Sequence, residues 1–210
     1  MTRILNPEAI EAESFRIIAE ELGEHSFSPD EFAVVQRAIH STADFEFART
    51  LRFAPGAIRS GIEAIRAGRS IVADVQMIQA GINKPGLKKF GGEVYCFISD
   101  DDVVAAAKEA GLTRAIMSMR KASQQLPGAI YAIGNAPTAL LELVKLADTA
   151  RPSLVVGVPV GFVSAAESKD ELSQTDLPFI TALGRKGGTP VAVSIINALI
   201  RLANKEDGRQ

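Results

Sequence analysis

Residues 129–140 read AIYAIGNAPTAL, and this stretch indicates the fold most directly. Ala129–Ile133 is a short and almost continuously apolar run, which is typical of a strand that is buried on both faces. A turn follows at Gly134–Thr138, and the segment Ala136–Ala147 has the residue spacing of a helix. A buried strand that leads directly into a helix is the repeating unit of an α/β sheet.

The same alternation extends on both sides of this stretch. Other apolar runs predict strands at Ser70–Ala73, Val94–Ile98, Leu154–Val158 and Phe179–Leu183. Helical spacing predicts helices at Asp74–Ala80, Asp101–Ala110, Arg114–Gln124, Ala165–Ser173 and Thr189 to about Ala203. We therefore expect a protein of the α/β class, with a mainly parallel sheet of about five strands covered on both faces.

The residues before Gly68 form a helical N-terminal region in this interpretation. Asn6 and Pro7 begin a helix that Gly23 ends, and a capping-box pattern at Ser28 begins a second helix. A third helix is predicted at Ala57–Arg66. No linker divides the chain, so we expect one domain over residues 1–210, with a fraying tail from about residue 204.

Composition excludes several classes of function. The net charge of −2 on 210 residues gives no field that would hold nucleic acid. The chain has one cysteine, Cys96, and two histidines, which leave little for metal binding. An internal disulfide is impossible with a single cysteine. There is no secretory signal and no apolar run of the about 18 residues that a membrane span needs. We expect a cytoplasmic protein without a membrane partner.

Ligands of parallel sheets usually bind outside the carboxyl ends of the strands, where this chain has glycine-rich loops. These loops are Gly134–Thr138, Gly157–Phe162 and Gly184–Thr189. Their glycines either permit tight turns only, or expose backbone N–H groups to an anion. Arg185 and Lys186 favour an anion. The spacings of a P-loop and of a dinucleotide fingerprint are absent, which argues against a nucleotide-binding domain.

His40 is the first candidate for chemistry because histidine side chains titrate near neutral pH. It lies at the end of the second predicted helix, so it either complements the helix dipole or donates a proton, with Thr42 or Asp44 orienting its ring. His25 is expected to be a solvated loop residue.

Ser14, Arg114 and Asp74 each have two interpretations. Ser14 lies on the apolar stripe of the first helix, where its hydroxyl either bonds to a carbonyl one turn back or faces a pocket. Arg114 is either a surface charge or a clamp for a carboxylate. Asp74 follows an apolar strand directly, so it either caps the next helix or belongs to a site.

Several segments together resemble the precorrin-8X methylmutases, or precorrin isomerases, a family that includes the cobalt-precorrin-8 methylmutases. They are Ile39–Ala48 (IHSTADFEFA), Ile71–Gly81 (IVADVQMIQAG), Gly111–Ala115 (GLTRA), Ile133–Leu140 (IGNAPTAL), Gly157–Val163 with Glu167–Lys169 (GVPVGFV and ESK), and Gly184–Gly188 (GRKGG). The resemblance runs from about Pro7 to Leu199. One departure is Ala43, where the histidine motif is expected to have glycine.

The resemblance implies a three-layer α/β/α fold, a homodimer and an isomerase of vitamin B12 biosynthesis that needs no cofactor or metal. The implied reaction moves a methyl group of a corrinoid substrate from C-11 to C-12. The catalytic histidine of the family falls on His40, and its substrate-binding serine falls on Ser14. Our other candidates for holding the substrate are Thr42, Asp44, Arg114, Gly134, Asn135, Arg185 and Lys186. A tetrapyrrole carrier without catalysis is the alternative.

Overall fold

The computed structural model describes residues 6–205. The helices in this part of the chain are α1 (Pro7–Leu22), α2 (Pro29–Thr42), α3 (Phe47–Thr50), α4 (Ala57–Arg66), α5 (Gln76–Gly81), α6 (Lys84–Lys88), α7 (Asp101–Ala110), α8 (Arg114–Gln125), α9 (Pro137–Lys145), α10 (Ala147–Ala150), α11 (Ala165–Ser173) and α12 (Thr189–Asn204). The strands are β1 (Leu51–Phe53), β2 (Ile71–Ala73), β3 (Val94–Tyr95), β4 (Ile130–Ile133), β5 (Leu154–Gly157) and β6 (Phe179–Ala182).

These strands form one sheet in the order β1-β6-β5-β4-β2-β3. All neighbours are parallel except β1, which runs antiparallel to β6. The chain moves from β2 to β3 in one direction and on to β4, β5 and β6 in the other. The strand order therefore reverses between β2 and β4, where doubly wound sheets open a crevice for ligands.

Alternate residues of the strands point to opposite faces of the sheet and build two cores. In β4, Ile130 and Ala132 belong to the cluster that also contains residues of α2, α4 and α12. Tyr131 and Ile133 belong to the cluster formed with α8, α9 and α11. Because each face of the sheet packs against helices, the α/β class, the three-layer arrangement and the mainly parallel sheet are confirmed.

The predicted number of strands was too low, because β1 was missed. Leu51 pairs with Ala182 and Phe53 with Ile180, which extends the sheet by an antiparallel edge strand. At the other edge, the predicted strand Val94–Ile98 is only two residues long. Edge strands are often this short, and short strands show too few residues for a repeat in the sequence.

The N-terminal helices begin and end where the sequence predicts. Asn6 caps α1 by accepting a hydrogen bond from the N–H of Ala9, and Gly23 ends that helix. The capping box of α2 is formed by Ser28 and Glu31. The predicted fraying tail cannot be placed as a whole, because residues 206–210 lie outside the described part and residue 204 still belongs to α12. None of the helices in residues 6–205 combines the length and apolar character of a membrane span.

Candidate active site

His40 and Ser14 share one cavity between α1 and α2. Its volume is about 230 Å³, and its lining residues are Ser14, Ile17, Ile18, Glu21, Ile39, His40, Ala43 and Phe45. Four of the seven lining residues other than His40 are large and apolar, so the imidazole faces a mostly apolar space. The two residues that the resemblance assigns to catalysis and substrate binding are thus close together.

The ring of His40 is exposed in the last turn of α2, and an aromatic neighbour packs against it. Phe15 of α1 meets the imidazole edge to face, with 5.4 Å between the ring centroids. Within residues 6–205, neither Thr42 nor Asp44 is hydrogen-bonded to His40, so the expectation that one of them orients the ring was wrong. The hydroxyl of Thr42 turns back to the carbonyl of Ala38 at 2.8 Å instead.

Ser14 combines both interpretations given above. Its hydroxyl donates a hydrogen bond to the carbonyl of Ile10, one turn earlier, at 2.9 Å. The same residue lines the cavity beside His40. A hydroxyl oxygen that donates to a backbone carbonyl still has acceptor capacity, so Ser14 can receive a hydrogen bond from a ligand.

Lys186 and Asp44, which the sequence predicts as two separate substrate residues, pair with each other. Nζ of Lys186 lies 2.6 Å from Oδ2 of Asp44 and 2.8 Å from Oε2 of Glu46. The hydrogen bond from Lys186 lowers the pKa of Asp44, and its two carboxylate partners raise the pKa of Lys186. Two of the three N–H donors of this ammonium group are therefore used by internal partners, and one is left for a substrate carboxylate.

Arg185 is the other exposed cation of the same loop. Its guanidinium lies over the ring of Phe162, 5.5 Å from the ring centroid. The N–H of Gly161 donates to the carbonyl of Arg185 at 3.2 Å and joins this loop to the loop after β5. Phe162 and Val163 are 84% and 83% exposed, so this edge of the molecule carries an apolar tip with a cation stacked on it.

Asp74 does not cap the next helix, because Val75 occupies the N-cap position of α5. Its side chain is fully buried and crosses to the loop after β4. One carboxyl oxygen accepts from the N–H of Gly134 at 3.2 Å, and the other accepts from Asn135 at 2.9 Å and Ala136 at 2.8 Å. Burial raises the pKa of Asp74, and these three donors pull it in the opposite direction.

The backbone donors at the start of the loop after β4, where the strand order reverses, are consequently occupied by a side chain of the protein itself. The N–H groups of Gly134 and Asn135, which we expected to receive a substrate anion, are taken by Asp74. Only the exposed side-chain amide of Asn135 is left for a ligand. A Cβ added at Gly134 would lie 2.9 Å from that of Ala192 and 3.0 Å from the carbonyl oxygen of Gly188, so a larger residue does not fit there.

Arg114 lies at the same edge of the sheet and is exposed. It is the first residue of α8, directly after Thr113, whose hydroxyl caps the helix by accepting from the N–H of Ile116 at 3.2 Å. The hydroxyl of Thr113 also lies 3.3 Å from that of Thr138, near the start of α9. This contact places Arg114 close to the loop after β4.

Lys169 is a residue of this region that sequence reasoning missed. It is fully buried in α11, and its ammonium group donates a hydrogen bond to the carbonyl of Lys186 at 2.7 Å. Burial lowers the pKa of Lys169 to about 8. The ESK segment that contributed to the family resemblance contains this lysine, and its burial is the signal that the sequence alone does not show. No group of three or more histidine, cysteine or acidic residues within residues 6–205 is arranged to hold a metal ion.

Comparisons with known proteins agree on one family. The family model described as Precorrin-8X methylmutase matches residues 9–202. The cobalt-precorrin-8 methylmutase of Priestia megaterium is 54% identical over 202 residues, which cover 95% of this chain and 90% of that protein. The precorrin-8X methylmutase of Sinorhizobium sp is 38% identical over 197 residues, which cover 92% of this chain and 93% of that protein.

A solved structure has the same fold. The crystal structure of precorrin-8X methylmutase from Thermus thermophilus superposes with a TM-score of 0.86 at 46% sequence identity, and the match covers 93% of this chain and 97% of that one. The family model spans most of the chain, and the curated relatives match over nearly their whole length. The chain therefore belongs to the precorrin-8X methylmutase family, whose members are isomerases of cobalamin biosynthesis.

Proposed function

We propose that this protein moves a methyl group from C-11 to C-12 of a corrinoid by a [1,5]-sigmatropic shift, with His40 as the proton donor. The substrate is precorrin-8X, which gives hydrogenobyrinate, or cobalt-precorrin-8, which gives the cobalt-containing equivalent. The observation that carries this proposal is the cavity shared by His40 and Ser14 at the end of α2.

The position of His40 suits this chemistry. A sigmatropic shift is intramolecular, so the enzyme needs no nucleophile. An imidazolium that protonates or hydrogen-bonds a ring nitrogen near the methyl group draws electron density from the conjugated system and lowers the barrier. General acid catalysis of this kind contributes about 10²–10⁴-fold to rates. The C-terminal end of a helix attracts positive charge, and His40 lies in the last turn of α2.

The rest of the site has to hold a large, flat molecule with acetate and propionate groups at its edge. Arg185 and Arg114 are exposed cations at the carboxyl edge of the sheet, and the amide of Asn135 is a further donor. Lys186 joins them through the N–H donor that Asp44 and Glu46 leave unused. These local groups allow a chain with a net charge of −2 to hold a polyanion.

The cavity beside His40 also supports the proposed homodimer. The volume of this cavity, about 230 Å³, is smaller than the volume of ordinary small-molecule pockets, about 300–1,000 Å³. A corrinoid, however, is larger than most of the ligands that such pockets bind. One wall of the cavity is formed by Ile17, which is exposed. A second copy of the chain that covers this side would enlarge and close the site.

We propose a single domain over residues 1–210, a cytoplasmic location, and no nucleic-acid or membrane partner.

Replacement of His40 by alanine tests the proposal. We expect kcat to fall by about 10²–10⁴-fold, followed through the visible spectrum of the pigment, while binding is largely retained. His25→Ala is the matched control, because His25 is exposed and packs on Phe32 away from the cavity. Conversion by His40→Ala at the wild-type rate would refute the role of this histidine.

The alternative function, a carrier of the pigment, gives a different result in the same assay. A carrier binds the corrinoid without any change in the connectivity of the ring, so the spectrum of bound pigment stays that of the substrate. Incubation with metal-free and with cobalt-bearing substrate separates the two possible reactions. Tight binding of both pigments without conversion by the wild-type protein would favour the carrier.

A further inference from the structure

Lys169 is a buried cation without a carboxylate partner among the described residues. Its side chain is fully inaccessible, and the acidic residue next to it, Asp170, is exposed. An ammonium group that is removed from water and not paired with a carboxylate lowers the stability of the fold. Stability therefore does not explain why a lysine occupies this position, whereas the hydrogen bond of its ammonium group does suggest a role.

That hydrogen bond holds a loop that carries two of the proposed substrate cations. Nζ of Lys169 donates to the carbonyl oxygen of Lys186 at 2.7 Å. Lys186 in turn sends its own ammonium group to Asp44 and Glu46, in the segment directly after α2. A continuous series of polar contacts thus leads from the buried lysine to the turn that follows His40.

The loop is fixed closely from the same side by backbone contacts. The N–H of Gly188 donates to the carbonyl of Val158 at 2.8 Å, and the N–H of Gly161 donates to that of Arg185 at 3.2 Å. A Cβ added at Gly187 would lie 2.2 Å from the carbonyl oxygen of Val158. Lys169 adds a contact from a buried side chain to these backbone bonds, and it acts on the carbonyl group of Lys186, between Arg185 and Gly187.

We propose that Lys169 is a positioning residue for substrate binding, which holds the loop Gly184–Gly188 so that Arg185 and Lys186 present their cations to the carboxylates of the corrinoid. The inference rests on the proposed function and extends it to a residue that touches no substrate. Its effect is on binding, because the loop carries groups that hold the edge of the ring and not the group that donates the proton.

The test is the substitution Lys169→Met, which keeps an unbranched side chain only one atom shorter and removes the donor. We expect KM to rise about tenfold, as for the loss of one hydrogen bond to a charged group, with kcat changed less than about threefold. The unfolding temperature is expected to stay close to that of the wild type, because a buried charge is removed together with its hydrogen bond. Lys169→Gln, which retains an N–H donor, should restore part of the loss in KM and replaces Lys169→Met if that variant does not fold.

The matched control is Ser168→Ala, since Ser168 is also buried in α11 but bonds only to the carbonyl of Ala165 in its own helix. We expect it to leave KM unchanged. The inference is wrong if KM of Lys169→Met stays within about twofold of the wild-type value. It is also wrong if Lys169→Met and Ser168→Ala both lose activity in proportion to their loss of stability.

A second measurement is independent of catalysis. Amide hydrogen exchange at Gly188 and Gly161 should become faster in Lys169→Met and stay unchanged in Ser168→Ala, because only the first substitution releases the loop. Unchanged exchange at both amides would overturn the inference. A wild-type protein that does not convert the pigment would refute the proposed function instead, and the exchange experiment would still test the position of the loop.

Discussion

The ammonium group of Lys186 lies 2.6 Å from Oδ2 of Asp44, and this contact joins the loop between β6 and α12 to the end of the helix that carries His40. Both residues are partly exposed, and Glu46 shares the ammonium group at 2.8 Å. The contact fixes the turn after His40 while the substrate is absent. Lys186, one of the cations that we expect to bind the corrinoid, is therefore already in contact with internal carboxylates.

This ion pair predicts an acid-dependent contribution to stability. A carboxyl group whose pKa is lowered by folding stabilises the fold at neutral pH, and that contribution is lost as the pH falls through the folded-state pKa. The pKa of Asp44 is lowered from its usual 3.8. We expect Asp44→Asn to reduce the free energy of unfolding by about 0.2–1 kcal/mol at pH 7, measured by urea denaturation, as for other partly exposed ion pairs.

The same experiment contains its own check. The difference between wild type and Asp44→Asn should shrink as the pH falls below 3.8 and vanish once Asp44 is protonated. Asp176→Asn, at an exposed carboxylate, serves as the control and should show no such pH dependence. A difference for Asp44→Asn that grows in acid would contradict the assignment.

Substitution of Arg185 or Arg114 by alanine should weaken binding of the pigment. We expect an increase in Kd of about tenfold for each arginine, since each loses a charged hydrogen bond to a carboxylate. Because salt screens exposed charges, the loss should be greatest at low ionic strength. Arg59→Ala is the control, since Arg59 is an exposed arginine of α4, away from the carboxyl edge. An arginine whose removal leaves Kd unchanged does not belong to the site.

The substitution Asp74→Asn should destabilise the protein, because the carboxyl group of Asp74 accepts hydrogen bonds from three backbone N–H groups. An amide nitrogen in place of one carboxyl oxygen would face the backbone N–H groups of the loop after β4, so at least one buried donor loses its acceptor. We expect a loss of about 1–3 kcal/mol in the free energy of unfolding. Asp148→Asn, at an exposed position in α10, is the comparison and should change stability by less than about 0.5 kcal/mol. Equal effects of the two substitutions would show that the buried contacts have no special weight.

The backbone conformation of Ala43 explains why glycine is expected at this position of the histidine motif. It also predicts a substitution that increases the stability of the protein. It ends α2 with φ 53° and ψ 28°, a left-handed conformation that favours glycine. Relief of this strain, reduced by the greater freedom of glycine in the unfolded chain, should make Ala43→Gly more stable by about 0.5–1 kcal/mol. Ala105→Gly, at an exposed position inside α7, should instead lose about 1 kcal/mol. Destabilisation by both substitutions in urea denaturation would exclude the strain.

The strands β2, β4, β5 and β6 were predictable because each is a short apolar run buried on both faces, and their neighbouring helices show a clear repeat. The strand β1 was not, since three residues beside a helical turn have no pattern of their own. Helix ends were predictable wherever a local signal exists. The capping box at Ser28 and the stop at Gly23 depend on residues that are close in sequence, and the structure has both.

The site was predictable where one residue type determines the chemistry, as with His40, and not where distant segments meet. Asp74 is 60 residues away from Gly134, and no local pattern shows that one binds the other. Lys169 and Lys186 are 17 residues apart and meet only because α11 and the loop after β6 lie at one edge of the sheet. In both cases, the partner of a polar group is set by the topology and not by the sequence nearby.

The buried carboxyl of Asp74 has a consequence for selectivity. Doubly wound sheets commonly hold phosphate groups at the point where their strand order reverses, on the free amides that open the next helix. Here those amides are already satisfied from within, and a phosphate ester that entered would meet acidic oxygens. A phosphate group would find the N–H groups of Gly134, Asn135 and Ala136 already bonded to Asp74, so we expect this part of the sheet to discriminate against nucleotides.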